Sequence, residues 1–119
     1  MKIAIAGSRS LDVPIPEGII PKNATQIISG GARGIDRSAR EYALRHKVQI
    51  MEILPEYSLY GRSAPLRRND WIIRLSDVIY VFWDGKSRGA YYMIKESKKA
   101  GKKVNVYLWN GTDFQKADI

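Results

Sequence analysis

Thr25-Gln26-Ile27-Ile28-Ser29-Gly30-Gly31-Ala32-Arg33-Gly34-Ile35-Asp36 is the stretch that decides the fold. Its first five residues are a β-branched run of strand length, and the three glycines that follow mark a tight turn. Beyond the turn, from Gly34 to His46, Ile35, Ala39, Tyr42 and Ala43 recur on one side of a 3.6-residue period, with Arg37, Arg40, Glu41 and Arg45 largely off it. A strand, a glycine turn and an amphipathic helix in that order form the unit of a parallel α/β sheet.

Working outward, four more runs rich in Ile, Val and Tyr predict strands over residues 2–6, 48–53, 77–83 and 103–109. Ser63 and Pro65 resemble an N-cap and an early-turn proline, opening a helix through Leu66, Trp71, Ile72 and Leu75. Ser87 is expected to cap a further helix with Ala90, Tyr91 and Ile94 inward and Gly101 as its closing glycine. Pro14, Pro16 and Pro21 predict a short or irregular connection after the first strand. The expected fold is α/β, three-layered, with a mostly parallel five-stranded sheet and helices on both faces, a single domain over residues 1–119. The polar tail, residues 110–119, is expected to pack loosely.

Composition narrows the partners. The longest apolar run, Val78 to Trp83, has strand length and is far short of a membrane span. The first six residues read as a strand and not as a secretory segment, which sets a cytoplasmic expectation. With no cysteine and one histidine, His46, neither a disulfide framework nor a sulfur-ligated metal is expected. Twenty Lys and Arg against twelve Asp and Glu give a net charge of +8, and from Arg62 onward twelve basic residues face six acidic ones. Such an excess points to an anionic partner, although Lys95, Lys98, Lys99, Lys102 and Lys103 also suit a solvated helix face.

In an open parallel sheet, ligands lie beyond the carboxyl ends of the strands. Three such ends carry the same mixture: Gly7-Ser8-Arg9, then Ser29-Gly30-Gly31-Ala32-Arg33-Gly34-Ile35-Asp36, then Asp84-Gly85-Lys86-Ser87-Arg88-Gly89. Glycine admits close approach of an anion to backbone N–H groups, a helix N-terminus adds a positive dipole end, and Arg and Ser complete the cradle. The expected phosphate and nucleotide contacts are Gly7, Ser8, Arg9, Ser29, Gly30, Gly31, Ala32, Gly34, Asp36, Arg68, Asn69, Asp84, Gly85, Ser87 and Gly89. Asp36, Asp84 and Glu56 are the acid/base candidates, yet no two carboxylates are paired by spacing. No metal site and no required cofactor are expected.

These motifs, together with Arg67-Arg68-Asn69 and the Trp71-Ile72-Ile73 that follows, resemble the SLOG superfamily over residues 2 to about 108. That grouping holds the Rossmann-like core of DNA-processing protein A (Smf), the LOG-type phosphoribohydrolases and small relatives of YpsA. Ser-Gly-x-Ala-x-Gly-Ile-Asp looks most like the DNA-processing branch, and the chain length looks like the small members. The resemblance implies a nucleotide or nucleotide-derivative binder and common self-association. It also locates a departure, because Ala90 and Met93 stand where LOG-type enzymes have threonine and the catalytic glutamate, and a methionine transfers no proton. Nucleotide binding is therefore the leading expectation. Single-stranded nucleic acid on the basic edge, aided by Tyr57, Tyr60 or Trp83, and an N-glycosidase-like enzyme are the alternatives. A homodimer or higher oligomer through the helices carrying Trp71 and Tyr91-Tyr92 completes the set.

Overall fold

The computed structural model describes residues 1–119. Strands β1 (Lys2–Gly7), β2 (Gln26–Ser29), β3 (Gln49–Glu52), β4 (Val78–Trp83), β5 (Lys103–Trp109) and β6 (Phe114–Ala117) form one sheet in the order β3-β2-β1-β4-β5-β6. The first five run parallel, and β6 returns antiparallel along β5. The sheet therefore has six strands, not five, and part of the expected loose tail is its last strand. Asn110 makes that reversal, its Oδ1 accepting the N–H groups of Thr112 and Asp113.

Because side chains alternate along a strand, each residue run builds two cores. On one face Ile3, Ile5, Ile27, Tyr80 and Phe82 meet Ile35, Ala39, Tyr42 and Ala43 of α1 (Ile35–His46). On the other, Ala4, Ala6, Ile28, Ile79 and Val81 meet Ile72 and Ile73 of α3 (Ala64–Leu75) and Ala90, Met93 and Ile94 of α4 (Arg88–Lys99). A single short turn of helix, α2 (Tyr57–Tyr60), leads through a 3₁₀ turn (Gly61–Ser63) into α3, so Tyr57 and Tyr60 sit on helix.

The β1–β2 connection contains no helix, in keeping with its prolines, and Leu11, Ile15 and Ile20 bury themselves against the α1 face instead. Side chains hold it down: Ser38 Oγ donates to the Val13 carbonyl, and Glu17 pairs with Arg45 and His46. Gly101, at φ 76°, ends α4 as its position suggests.

Two local expectations differ. Ser63 stands before α3 but its hydroxyl donates to Tyr60 O and caps nothing, because Ser63 is the last residue of the 3₁₀ turn, with helical φ −82° and ψ −2° in place of a capping residue's extended backbone. Tyr91 is 50% exposed, since Ala90, Met93, Ile94 and Ser97 occupy the buried stripe. Trp71 is 48% exposed on the outer side of α3. No helix is long and apolar enough to cross a membrane.

Candidate functional site at the strand exits

Strand order reverses between β1 and β4, and the exits of these two strands are latched together. Ser8 N donates to Phe82 O, while Ser8 Oγ accepts the N–H of Asp84 at 2.9 Å and lies 2.8 Å from Ser87 Oγ. Ser8 is 1% exposed, so it holds the floor of the site and is not offered to a ligand. Gly7 has no room for a side chain, because a Cβ would stand 2.2 Å from Phe82 O.

The turn after β2 folds back on this latch. Gly31 (φ 69°) and Gly34 (φ 72°) take the left-handed conformation that glycine adopts freely, and a Cβ on Gly34 would meet the carbonyl oxygens of Arg9 and Ser8 at 2.5 and 2.6 Å. Ser29 Oγ accepts the Gly31 N–H, and Asp36 Oδ2 accepts the Ala32 N–H at 3.1 Å. Burial pushes the Asp36 carboxyl above its ordinary range, opposed by the Ala32 N–H, the Arg68 charge, the Ser29 hydroxyl and the Gly30 N–H.

Arg68 comes from α3, in step with buried Ala64 and Ile72 at four-residue spacing, and is 7% exposed. Its Nη1 donates to Gly30 O at 2.6 Å and to Ile53 O at 3.3 Å, and its Nε donates to Asn69 Oδ1. Burial lowers its pKa against the pull of Asp36, with Arg9 adding to the lowering. Arg68 thus braces the β2 turn as well as lining the site, and Asn69 orients it.

The turn after β4 is organised by Asp84. Its Oδ1 accepts the N–H groups of Lys86 and Ser87 at 2.8 Å each, and its Oδ2 accepts Ser10 Oγ at 2.7 Å. Partial burial opposes ionisation, but Ser10, the Ser87 and Lys86 amides and Ser8 together bring its pKa from 3.8 down to about 2. A carboxylate so well satisfied is a poor general base. No side chain caps α4, so the leading N–H groups of that helix, at Arg88 and Gly89, are taken up by no side chain.

Between these turns opens a cleft of about 510 Å³. Of the sequence-predicted residues, Gly7, Arg9, Gly30, Ala32, Asp36, Arg68, Asn69, Asp84, Ser87 and Gly89 line it. Ser8, Ser29 and Gly34 lie behind it, and Gly85 is not on its wall. Gly31 faces an adjoining lobe of about 430 Å³, which Arg9, Arg33, Tyr57 and Arg68 also line. Arg33 and Ser10 are lining residues absent from the prediction; Arg33 stands inside the glycine motif, which was the available signal. Met93 and Ile72 complete the wall with apolar surface. Arg9 and Arg33 enter no ion pair, whereas both carboxylates are hydrogen-bonded within the chain, so the uncommitted charge is positive.

The chain is 31% identical over 81 residues to the Gene 61 protein of Mycobacterium phage D29, across 63% of this chain and 65% of that protein. This chain therefore spans less than two thirds of that relative's length. No family model and no solved structure matches it.

Proposed function

We propose that the cleft binds a nucleotide or nucleotide-derived phosphate ester, with the phosphate at the N-terminus of α4. Gly89 carries this reading. It lies in the first turn of α4, its φ is not positive, and a Cβ there would meet nothing within 4 Å. Nothing in the chain asks for glycine, and a helix is stabler with alanine by roughly 0.5–1 kcal/mol. The open space in front of it lies on the cleft wall, where an anion can approach bare N–H groups. The volume is ample for a nucleotide. Arg9 and Arg33 supply charge, Arg68 closes the floor, and Asn69 and Asp36 stand within the same cleft for hydroxyl or base contacts. The β3-β2-β1-β4-β5 order is that of Rossmann-like sheets, whose ligands occupy this crevice, and it agrees with the SLOG resemblance.

Titration calorimetry with AMP, NAD and ADP-ribose tests the reading. At least one should bind, and Gly89→Ala should weaken it about tenfold or more by displacing charge-assisted contacts. Absence of binding by all three, or equal affinity in the variant, refutes it.

The adjoining lobe favours one second reading, a single strand of nucleic acid. Tyr57 is 58% exposed beside Arg9 and Arg33, which suits a base stacked next to its phosphate. Binding of a short oligonucleotide that falls steeply with added salt, and falls again in Tyr57→Ala, would select it. Hydrolysis has less support, because Met93 is buried, Asp84 is saturated and Asp36 is engaged by its own turn.

A further inference from the structure

The two faces of the sheet carry their charge differently. Every ion pair of the molecule has a member on α1: Arg37 with Glu41, Arg40 with Glu52, and Arg45 and His46 with Glu17. On the opposite face α3 and α4 lie side by side, and their exposed cations, Arg67, Arg74, Arg88, Lys95, Lys98 and Lys99, enter none. The same two helices hold only two carboxylates, Asp70 and Glu96, and Asp70 already accepts the Tyr92 hydroxyl at 2.9 Å. Cations without a counter-charge in the chain are balanced from outside it.

Apolar exposure follows the same division. Of the eleven large apolar side chains left in solvent, all but Leu44 and Ile119 belong to β3, α2, α3, α4 or the turn between β3 and α2. Leu54, Leu59, Trp71 and Leu75 are among them and line a groove of about 630 Å³ between β3 and α3. Scattered exposed leucines are ordinary, but a contiguous set marks an interaction surface. The cations are interleaved with it. Arg67 holds its guanidinium 5.4 Å from the centre of the Tyr60 ring, and Arg74 holds its own 5.0 Å from that of Trp71.

This combination selects the partner. A nucleic-acid backbone would neutralise the cations and leave the leucines wet, and an apolar protein surface would bury the leucines and strand the cations. A phospholipid surface of net negative charge answers both. Its headgroups meet lysine and arginine, and the interfacial layer just beneath takes up tryptophan, tyrosine and leucine. Long basic side chains suit that depth, because their stems are apolar and their heads reach back to the headgroups. We propose that the α3–α4 face rests on an anionic membrane surface, as a peripheral contact with no spanning segment.

Vesicle co-sedimentation of the purified chain tests the contact, with phosphatidylglycerol and phosphatidylcholine in equal parts as the anionic surface and phosphatidylcholine alone as the neutral one. The chain should pellet with the anionic vesicles and stay in solution with the neutral ones, and the bound fraction should fall as salt is raised. Lys95→Glu combined with Lys99→Glu should weaken binding about tenfold or more, and Trp71→Ala should weaken it several-fold. Arg37→Glu, on the α1 face, should bind as the wild type does. All four positions are exposed, and circular dichroism melting confirms that the variants are folded. Failure to pellet with anionic vesicles, equal binding to neutral ones, or an equal loss in Arg37→Glu overturns the proposal. So does retention by a short DNA duplex in place of the vesicles, which would give the face to nucleic acid.

Discussion

The turn that leaves β2 and the turn that leaves β4 are built from the same residue types, glycine, serine, arginine and aspartate, and both end at the N-terminus of a helix. In the first, the glycines serve the chain itself: Gly30 and Gly34 face Arg68 and the backbone of Ser8 and Arg9 too closely for any side chain. In the second, neither Gly85 nor Gly89 would clash with anything, and only Gly85 needs its positive φ of 82°. Their aspartates differ in the same sense. Burial raises the pKa of Asp36 above its ordinary value, whereas the donors around Asp84 bring its pKa down. One turn is scaffold, and the other leaves its helix N-terminus for a guest.

The comparison breaks most readily at Gly34. Alanine there must adopt φ 72° and push against two backbone carbonyls, so Gly34→Ala should lose about 3 kcal/mol of stability in urea unfolding. Gly89→Ala in the same assay should lose none. If both changes cost the same, the division between scaffold and guest turn is wrong.

Next comes Arg68→Ala, which strips the buried Gly30 carbonyl and the partly buried Ile53 carbonyl of a charged donor and should cost about 2 kcal/mol, together with any nucleotide affinity. The sequence presented Arg68 as a ligand contact; its burial under the β2 turn adds the structural cost.

Acid unfolding sharpens the contrast between the aspartates. Asp84 has a lowered folded pKa, so its contribution is complete above 3.8 and is lost as pH falls towards 2. Asp84→Asn should flatten that limb. Asp36 has a raised folded pKa, so stability is highest below 3.8 and declines as pH rises through the carboxylate range, a decline that Asp36→Asn should remove. Equal limbs in both variants would erase the distinction. The smallest effect is on folding in Gly89→Ala, a gain of roughly 0.5 kcal/mol read from the melting curve.

How much of this the sequence disclosed depends on the range of the interaction. The five parallel strands and three long helices were legible because β-branched runs and the 3.6-residue period are local signals. β6 was not, because Phe114-Gln115-Lys116-Ala117 is short and mostly polar, although Asn110-Gly111 just before it is a hairpin signal that went unread. The strand exits were placed correctly as a group, since topology alone brings them to one edge. Which glycine serves the chain and which faces open space depends on what packs behind it, and no spacing reveals that. Tyr91 was misplaced by a single position of helical phase.

The β1–β2 connection, last, has a kinetic meaning. Between Asp12 and Asn23 no backbone N–H donates to another backbone carbonyl, and the segment is pinned by buried side chains and a few polar ties. Its amide hydrogens should therefore exchange with solvent long before those of α3 and α4. Arg9 and Ser10, which it carries into the cleft, belong to the part of the wall that loosens first on warming, and an occupant that engages them would quiet the whole crossover.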